Sequence, residues 1–291
     1  MQLDFLYGTA WKEEATSDCV LAALKAGYRA IDTANQRKHY NEEGVGRGLS
    51  AAYDSLGIKR ADLFLQTKFT YARGQDHRKP YDEKASYAEQ VKQSFASSLQ
   101  HLGTDFLDSL ILHGPYGDQG LIDTDWEVWG AMEELASSGR VKSLGISNVS
   151  YDQLAELYAG AKVKPTFVQS RCYADKGWDR QIRSFCREKK FFYQGFSLLT
   201  ANSKYLGGNS ERVPDRNVPR MVFGEKAHPD IVRILEETGR SVSEVIFRFC
   251  RQIGIIPVMG SRSEEHLKAN LKIGDFTLSN SQIETLENIA R

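Results

Sequence analysis

The chain has 291 residues, 41% apolar and 26% charged, which is enough apolar material for a large core and too much for a disordered chain. Its 38 basic and 38 acidic side chains cancel, so neither nucleic acid nor an anionic membrane is expected as the main partner. No apolar run approaches the ~18 residues of a membrane span, and the N-terminus, with Asp4 and no basic stretch, does not read as a secretory signal.

Short apolar runs predict eight strands, over residues 4–7, 30–32, 63–67, 106–112, 143–146, 167–170, 191–196 and 255–259. Several are apolar on both faces, as strands of a parallel sheet covered by helices should be. Between and after them, apolar residues at helical spacing predict helices over 17–26, 42–56, 87–102, 126–138, 151–158, 179–189, 230–237, 243–252, 263–271 and 279–289. Gly27, Gly57, Gly103 and Gly139 follow the first four and suit left-handed C-caps. This alternation predicts a (β/α)8 TIM barrel as a single domain over residues 1–291. A doubly wound sheet is the alternative, weakened because no G-x-G-x-x-G follows the first strand. Residues 200–229, with Arg212, Arg216, Arg220, Pro214 and Pro219, break the alternation and read either as a lid or as a surface loop.

Cys19, Cys172, Cys186 and Cys250 form no C-x-x-C pair, and the six histidines form no H-E-x-x-H. Reduced thiols, a cytoplasmic location and no metal are therefore expected.

In a barrel, chemistry gathers where strands end. Those ends carry Asp32, then Tyr40 in the following loop, Lys68, His113, Ser147 and Asn148, Gln169, Phe196 and Ser197, and Ser261 and Arg262. An ammonium beside a phenol lowers the phenol's ordinary pKa of about 10, and Asp32 would compensate a buried Lys68. His113 could orient a carbonyl oxygen. The set suits protonation of an oxyanion as hydride reaches carbon. Two other classes are open: a Schiff-base lyase with Lys68 as nucleophile, and a non-catalytic, cofactor-sensing regulatory subunit.

G-Y-R-A-I-D-T-A at 27–34, N-E-E-G-V-G at 41–46, L-Q-T-K at 65–68, L-I-L-H-G-P at 110–115, G-I-S-N at 145–148 and I-P-V-M-G-S-R-S-E-E-H-L-K-A-N-L at 256–271 follow one another along the chain. Together they resemble the aldo-keto reductase family over nearly the whole length. The resemblance implies an oxidoreductase that reduces small carbonyl substrates with NADPH, NADH being the alternative. It implies Asp32, Tyr40, Lys68 and His113 as catalytic residues. Ser147, Asn148 and Gln169 would hold the nicotinamide carboxamide, and Phe196 would stack on its ring. Ser197 to Ala201, including Leu199, would approach the pyrophosphate, and Ser261, Arg262, His266 and Asn270 the adenosine end. Thr9 and Asp32 count with the cofactor set. Trp11 either lines the substrate mouth or packs in the core.

The chain departs from the family pattern in places. Two extra residues lie within 35–39, so the tyrosine is shifted to Tyr40, and Arg37, Lys38 and His39 read as a solvated loop. Val168 stands where an asparagine is common, and Gly260-Ser261 replaces a lysine-serine pair. Only two residues follow the last predicted helix, from which an open mouth and broad specificity are expected.

Overall fold

A computed structural model describes residues 3–211 and 220–291. Ten strands are described: β1 (Leu6–Gly8), β2 (Ala30–Asp32), β3 (Phe64–Phe69), β4 (Ser109–Leu112), β5 (Leu144–Ser147), β6 (Phe167–Arg171), β7 (Phe192–Phe196), β8 (Gly207–Glu211), β9 (Arg220–Ala227) and β10 (Ile255–Met259). Eight of them follow the order β1-β10-β7-β6-β5-β4-β3-β2 around a closed barrel, and β8 and β9 form a separate pair. The fold is a (β/α)8 barrel. All eight expected strands are present, with ends that move by a few residues. The strand expected from 106 starts at Ser109, since Leu107 forms only an isolated bridge to Val141.

The described residues fall into two compact units, Leu3–Ser170 and Arg171–Arg291. In the first, parallel pairing runs stepwise from β1 to β6, with Asp32 level with Gln66 and Lys68 level with Ile111. Its helices are α1 (Thr16–Ala26), α2 (Glu42–Leu56), α3 (Tyr87–Leu102), α4 (Asp123–Ser137) and α5 (Tyr151–Gly160). Asn41 starts α2 by accepting the Gly44 N–H at 2.9 Å, and Ser86 and Ser150 start α3 and α5 in the same way. Helix α4 begins a turn earlier than expected, because the Asp125 carboxylate accepts the N–H groups of Tyr116, Gly117 and Ile122.

In the second unit β10 pairs with β7 in parallel. Its helices are α6 (Arg180–Lys189), α7 (Ser203–Leu206), α8 (Pro229–Thr238), α9 (Val242–Gln252), α10 (Glu264–Leu271) and α11 (Asn280–Glu287). The stretch 200–229, expected as a loop, instead contains a 3-10 turn at Thr200–Asn202, the short α7 and the antiparallel pair β8–β9. The strand-forming run Met221-Val222-Phe223 favours that pairing. Arg212, Pro214, Arg216 and Pro219 lie outside the described residues.

Helix α2 depends on close approach. A Cβ at Gly46 would collide with the backbone carbonyl of His101 on α3, and one at Gly48 would lie 2.7 Å from the carbonyl of Ser17 on α1. Backbone cannot yield as a flexible side chain can. Gly46→Ala should therefore lower stability by about 1–3 kcal/mol; an unchanged denaturation midpoint would show that α2 and α3 can separate at little cost.

Candidate active site

Successive side chains on β3 point to opposite faces. One set, Thr67 among it, meets the helices: Thr67 donates to the buried carboxylate of Glu42 on α2, which also accepts from Ser98 on α3 at 2.9 Å. The other set, Gln66 and Lys68, reaches Asp32 on β2. Lys68 Nζ lies 2.7 Å from each oxygen of Asp32 and 2.8 Å from the carbonyl oxygen of Thr33. The Lys68 side chain is 0% exposed and that of Asp32 4%.

The two extra residues before Tyr40 are taken up by a turn. The Gln36 carbonyl accepts both the His39 N–H at 3.1 Å and the Tyr40 N–H at 2.9 Å. The chain thereby returns Tyr40 to the barrel mouth immediately before the Asn41 cap. Lys68 Nζ lies 5.4 Å from the centroid of the Tyr40 ring, and the His113 ring meets that ring edge-on at 6.0 Å. Asp32, Tyr40, Lys68 and His113 are thus brought together.

The expected solvated loop at 37–39 is instead pinned. Arg37 pairs with Glu43, Arg78 donates to the Arg37 carbonyl at 3.0 Å, and Gln36 donates to the Gly74 carbonyl at 2.6 Å. His39 lies against Trp11, with ring centroids 4.0 Å apart, and its carbonyl accepts the Trp11 N–H at 2.8 Å. Trp11 is 52% exposed, which settles its two readings against core packing.

The electrostatics differ from the expectation at one point. Burial and then the Asp32 charge push the Tyr40 phenol up, not down. With its charge balanced by Asp32, the Lys68 ammonium does not dominate the field at the resting phenol. Tyr40 is therefore a firmly protonated group at neutral pH. Burial lowers the Lys68 pKa, against which Asp32 acts. Burial, then Lys68 and His39, push His113 down to about 3. Its Nδ1 is 2.7 Å from the Thr70 hydroxyl.

The remaining candidates of the first unit lie at neighbouring strand ends. Asn148, in the left-handed region at φ 52°, turns its amide onto the His113 carbonyl at 2.8 Å and the Ser147 hydroxyl at 3.1 Å. Gln169 donates to Asp32 Oδ1 at 3.0 Å, a contact that sequence reasoning did not foresee. The Thr9 hydroxyl is engaged with the Asp32 carbonyl at 3.1 Å. Sequence reasoning also missed Gln66, whose amide donates to Asp32 Oδ1 at 2.7 Å. Its signal was the strand period of two, which puts it on the Lys68 face.

In the second unit Phe196 ends β7 with its ring partly exposed. Ser197 follows in the left-handed region at φ 57°, and its carbonyl accepts the Ala201 N–H at 2.8 Å. Leu199 is partly exposed. Ser261 Oγ accepts the Ser263 N–H at 3.1 Å just ahead of α10, and Arg262 and His266 are exposed there. Asn270 is 2% exposed, and its buried Oδ1 has no hydrogen-bond partner among the described residues. No group of metal-ligating side chains occurs among the described residues.

The family model described as the aldo/keto reductase family matches residues 1–291. The chain belongs to that family. It is an oxidoreductase that reduces carbonyl groups with hydride from a nicotinamide cofactor. This aldo/keto reductase is 29% identical to glyoxal reductase of Bacillus subtilis, over 94% of this chain and 83% of that protein. It is 28% identical to the NAD(P)H-dependent D-xylose reductase of Pachysolen tannophilus, over 97% and 88%. Among solved structures, an aldo/keto reductase from Brucella melitensis is 29% identical, with a TM-score of 0.76 over 98% of this chain and 94% of that one. The lyase alternative finds no support in the geometry, since Lys68 is committed to Asp32 and the Thr33 carbonyl.

A pH prediction follows from His113. The folded state keeps this imidazole neutral, whereas the unfolded chain takes up a proton near the ordinary pKa of about 6.5. Stability should therefore fall as pH drops from about 6.5 towards 3, and be fully present above that window. His113→Gln should flatten the decline, read from denaturation midpoints at about pH 7 and about pH 4.5. An equal decline in both proteins would assign the acid sensitivity to other groups.

Proposed function

We propose that this aldo/keto reductase acts as one (β/α)8 domain, reduces small aldehydes and ketones, prefers NADPH, and uses Tyr40 as the proton donor. The observation that carries the reading is the buried Asp32–Lys68 pair with the Tyr40 ring 5.4 Å from the ammonium. The glyoxal and D-xylose reductases among its relatives support a small carbonyl as substrate.

Each unit carries groups of the kind a nicotinamide dinucleotide needs. The unpaired Oδ1 of Asn270 can accept from an exocyclic amine. Ser147, Asn148 and Gln169 offer hydroxyl and amide groups at adjoining strand ends, suited to a carboxamide. Phe196 would stack on the ring, with Thr9, Ser197 and Leu199 beside the cofactor. When bound, the reduced nicotinamide supplies hydride to the carbonyl carbon.

His113 orients the carbonyl oxygen. This role requires the Thr70 hydroxyl, 2.7 Å from Nδ1, to donate there, so that the neutral ring carries its proton on Nε2 and gives a hydrogen bond to that oxygen. As the carbon–oxygen π bond breaks, its electron pair moves to oxygen and takes the Tyr40 phenol proton. The tyrosinate left behind is stabilised by Lys68, and solvent restores its proton. Holding both partners in place replaces an encounter by a positioned step.

Tyr40→Phe should lower turnover of glyoxal or para-nitrobenzaldehyde about 10²–10⁴-fold, with NADPH binding retained. Near-normal turnover would remove Tyr40 from its role and point to His39.

Arg262 is proposed to hold the phosphate that distinguishes NADPH from NADH. A guanidinium ahead of a helix N-terminus suits an anion, although Glu264 and Glu265 in the first turn of α10 oppose it. Arg262→Ala should raise the KM for NADPH far more than that for NADH. Equal KM values for both cofactors in the unsubstituted enzyme would defeat the preference.

A further inference from the structure

Two amides and one ammonium converge on Asp32 Oδ1: Gln66 at 2.7 Å, Lys68 at 2.7 Å and Gln169 at 3.0 Å. Gln66 is 1% exposed and belongs to the same face of β3 as Lys68. A primary amide so deep in a barrel is costly unless its groups are hydrogen-bonded, and an apolar side chain of the same volume would fill the site without that cost.

We propose that Gln66 is a positioning residue, whose amide holds the Asp32 carboxylate two-pronged on Lys68 and so sets how readily Tyr40 gives up its proton. This inference rests on the proposed roles of Tyr40 and Lys68. The mechanism is electrostatic. A donor on Oδ1 disperses part of the carboxylate charge and fixes its plane, so that both oxygens meet Nζ at 2.7 Å. Without it, Oδ1 keeps only the longer Gln169 amide bond beside Lys68, so the carboxylate is held less firmly and more of its charge is felt at the phenol. The titratable groups around this centre are Asp32 on β2, Lys68 on β3, His39 and Tyr40 in the loop after β2, His113 after β4, and Glu42 at the head of α2, whose charge also reaches Lys68.

The test compares two substitutions in the full-length enzyme, using NADPH and para-nitrobenzaldehyde across a pH series. Gln66→Met keeps the volume and removes the donor. It should lower kcat about ten-fold, leave both KM values within about two-fold, and move the alkaline limb of kcat to higher pH. Gln66→Glu provides a donor only while a proton is shared between the two carboxyl groups. Its kcat should approach the unsubstituted value in acid and fall as pH rises. A purely structural glutamine would give losses in both variants that do not depend on pH, and that result overturns the proposal. So does an unchanged kcat and pH profile in Gln66→Met. Should Gln66→Met fail to fold, the pH dependence of Gln66→Glu decides alone. Tyr40→Phe separates the two readings: full activity in that variant removes the proton donor itself, whereas a pH-independent Gln66→Glu beside an inactive Tyr40→Phe removes only the role of Gln66.

Discussion

A buried ion pair, Asp32 with Lys68, is the constraint around which the barrel mouth is built. Stripping water from two charges costs several kcal/mol per ion, and Coulomb attraction offsets this only when the remaining lone pairs and protons are satisfied. Here they largely are. Asp32 accepts from Lys68, Gln66 and Gln169, and Lys68 also donates to the Thr33 carbonyl. Three strands, β2, β3 and β6, are therefore tied to one carboxylate. The parallel register that sets Asp32 level with Gln66 makes this convergence possible.

The same pair explains why the resting phenol is held protonated. An ammonium alone would lower the phenol's pKa, but beside the Asp32 carboxylate burial is the larger influence and the phenol is pushed up. In the proposed mechanism the pair keeps Tyr40 available as an acid and still offers a cation to the tyrosinate that forms when the proton leaves. His113 complements this, because burial and the nearby ammonium keep it neutral. A neutral imidazole can donate a hydrogen bond to a carbonyl oxygen without competing to protonate it.

The fold was legible in the sequence because most barrel strands are short apolar-rich runs with polar residues at or just past their ends, and each of the first four helices is followed by a glycine that turns left-handed. Ala30–Asp32 and Ile255–Met259 were read to the residue. The stretch 200–229 was not, since Gly207, Gly208 and the prolines mask the strand-forming run at 221–223. At the site, Asp32 and Lys68 were legible as charges in positions where charge is costly, and His113 as a polar residue closing an apolar strand. Gln66 was not, because a glutamine carries no charge to mark it and its partner lies 34 positions away. The direction of the Tyr40 shift was misread for a related reason: sequence shows which charges are present but not which of them already cancel.

The two residues inserted before Tyr40 show what the chemistry constrains. Spacing along the chain is not held, since Tyr40 follows Asp32 by more positions than the family pattern has. The turn nonetheless sets the Tyr40 ring 5.4 Å from Lys68 Nζ and edge-on to His113. A helical turn advances the chain by only about 1.5 Å per residue, so winding Gln36 to Tyr40 into one absorbs added length with little displacement of its end. The turn then needs anchoring, because each ordered residue costs conformational entropy. That anchoring is visible in the Arg37–Glu43 pair, the Gln36 amide on Gly74, and the Trp11 N–H on the His39 carbonyl. A side effect is that His39 lies against Trp11 at the edge of the site, where a shorter loop would have no residue to put. The inserted residues thus leave the proposed proton donor beside Lys68 and His113 while adding His39 to the wall next to it.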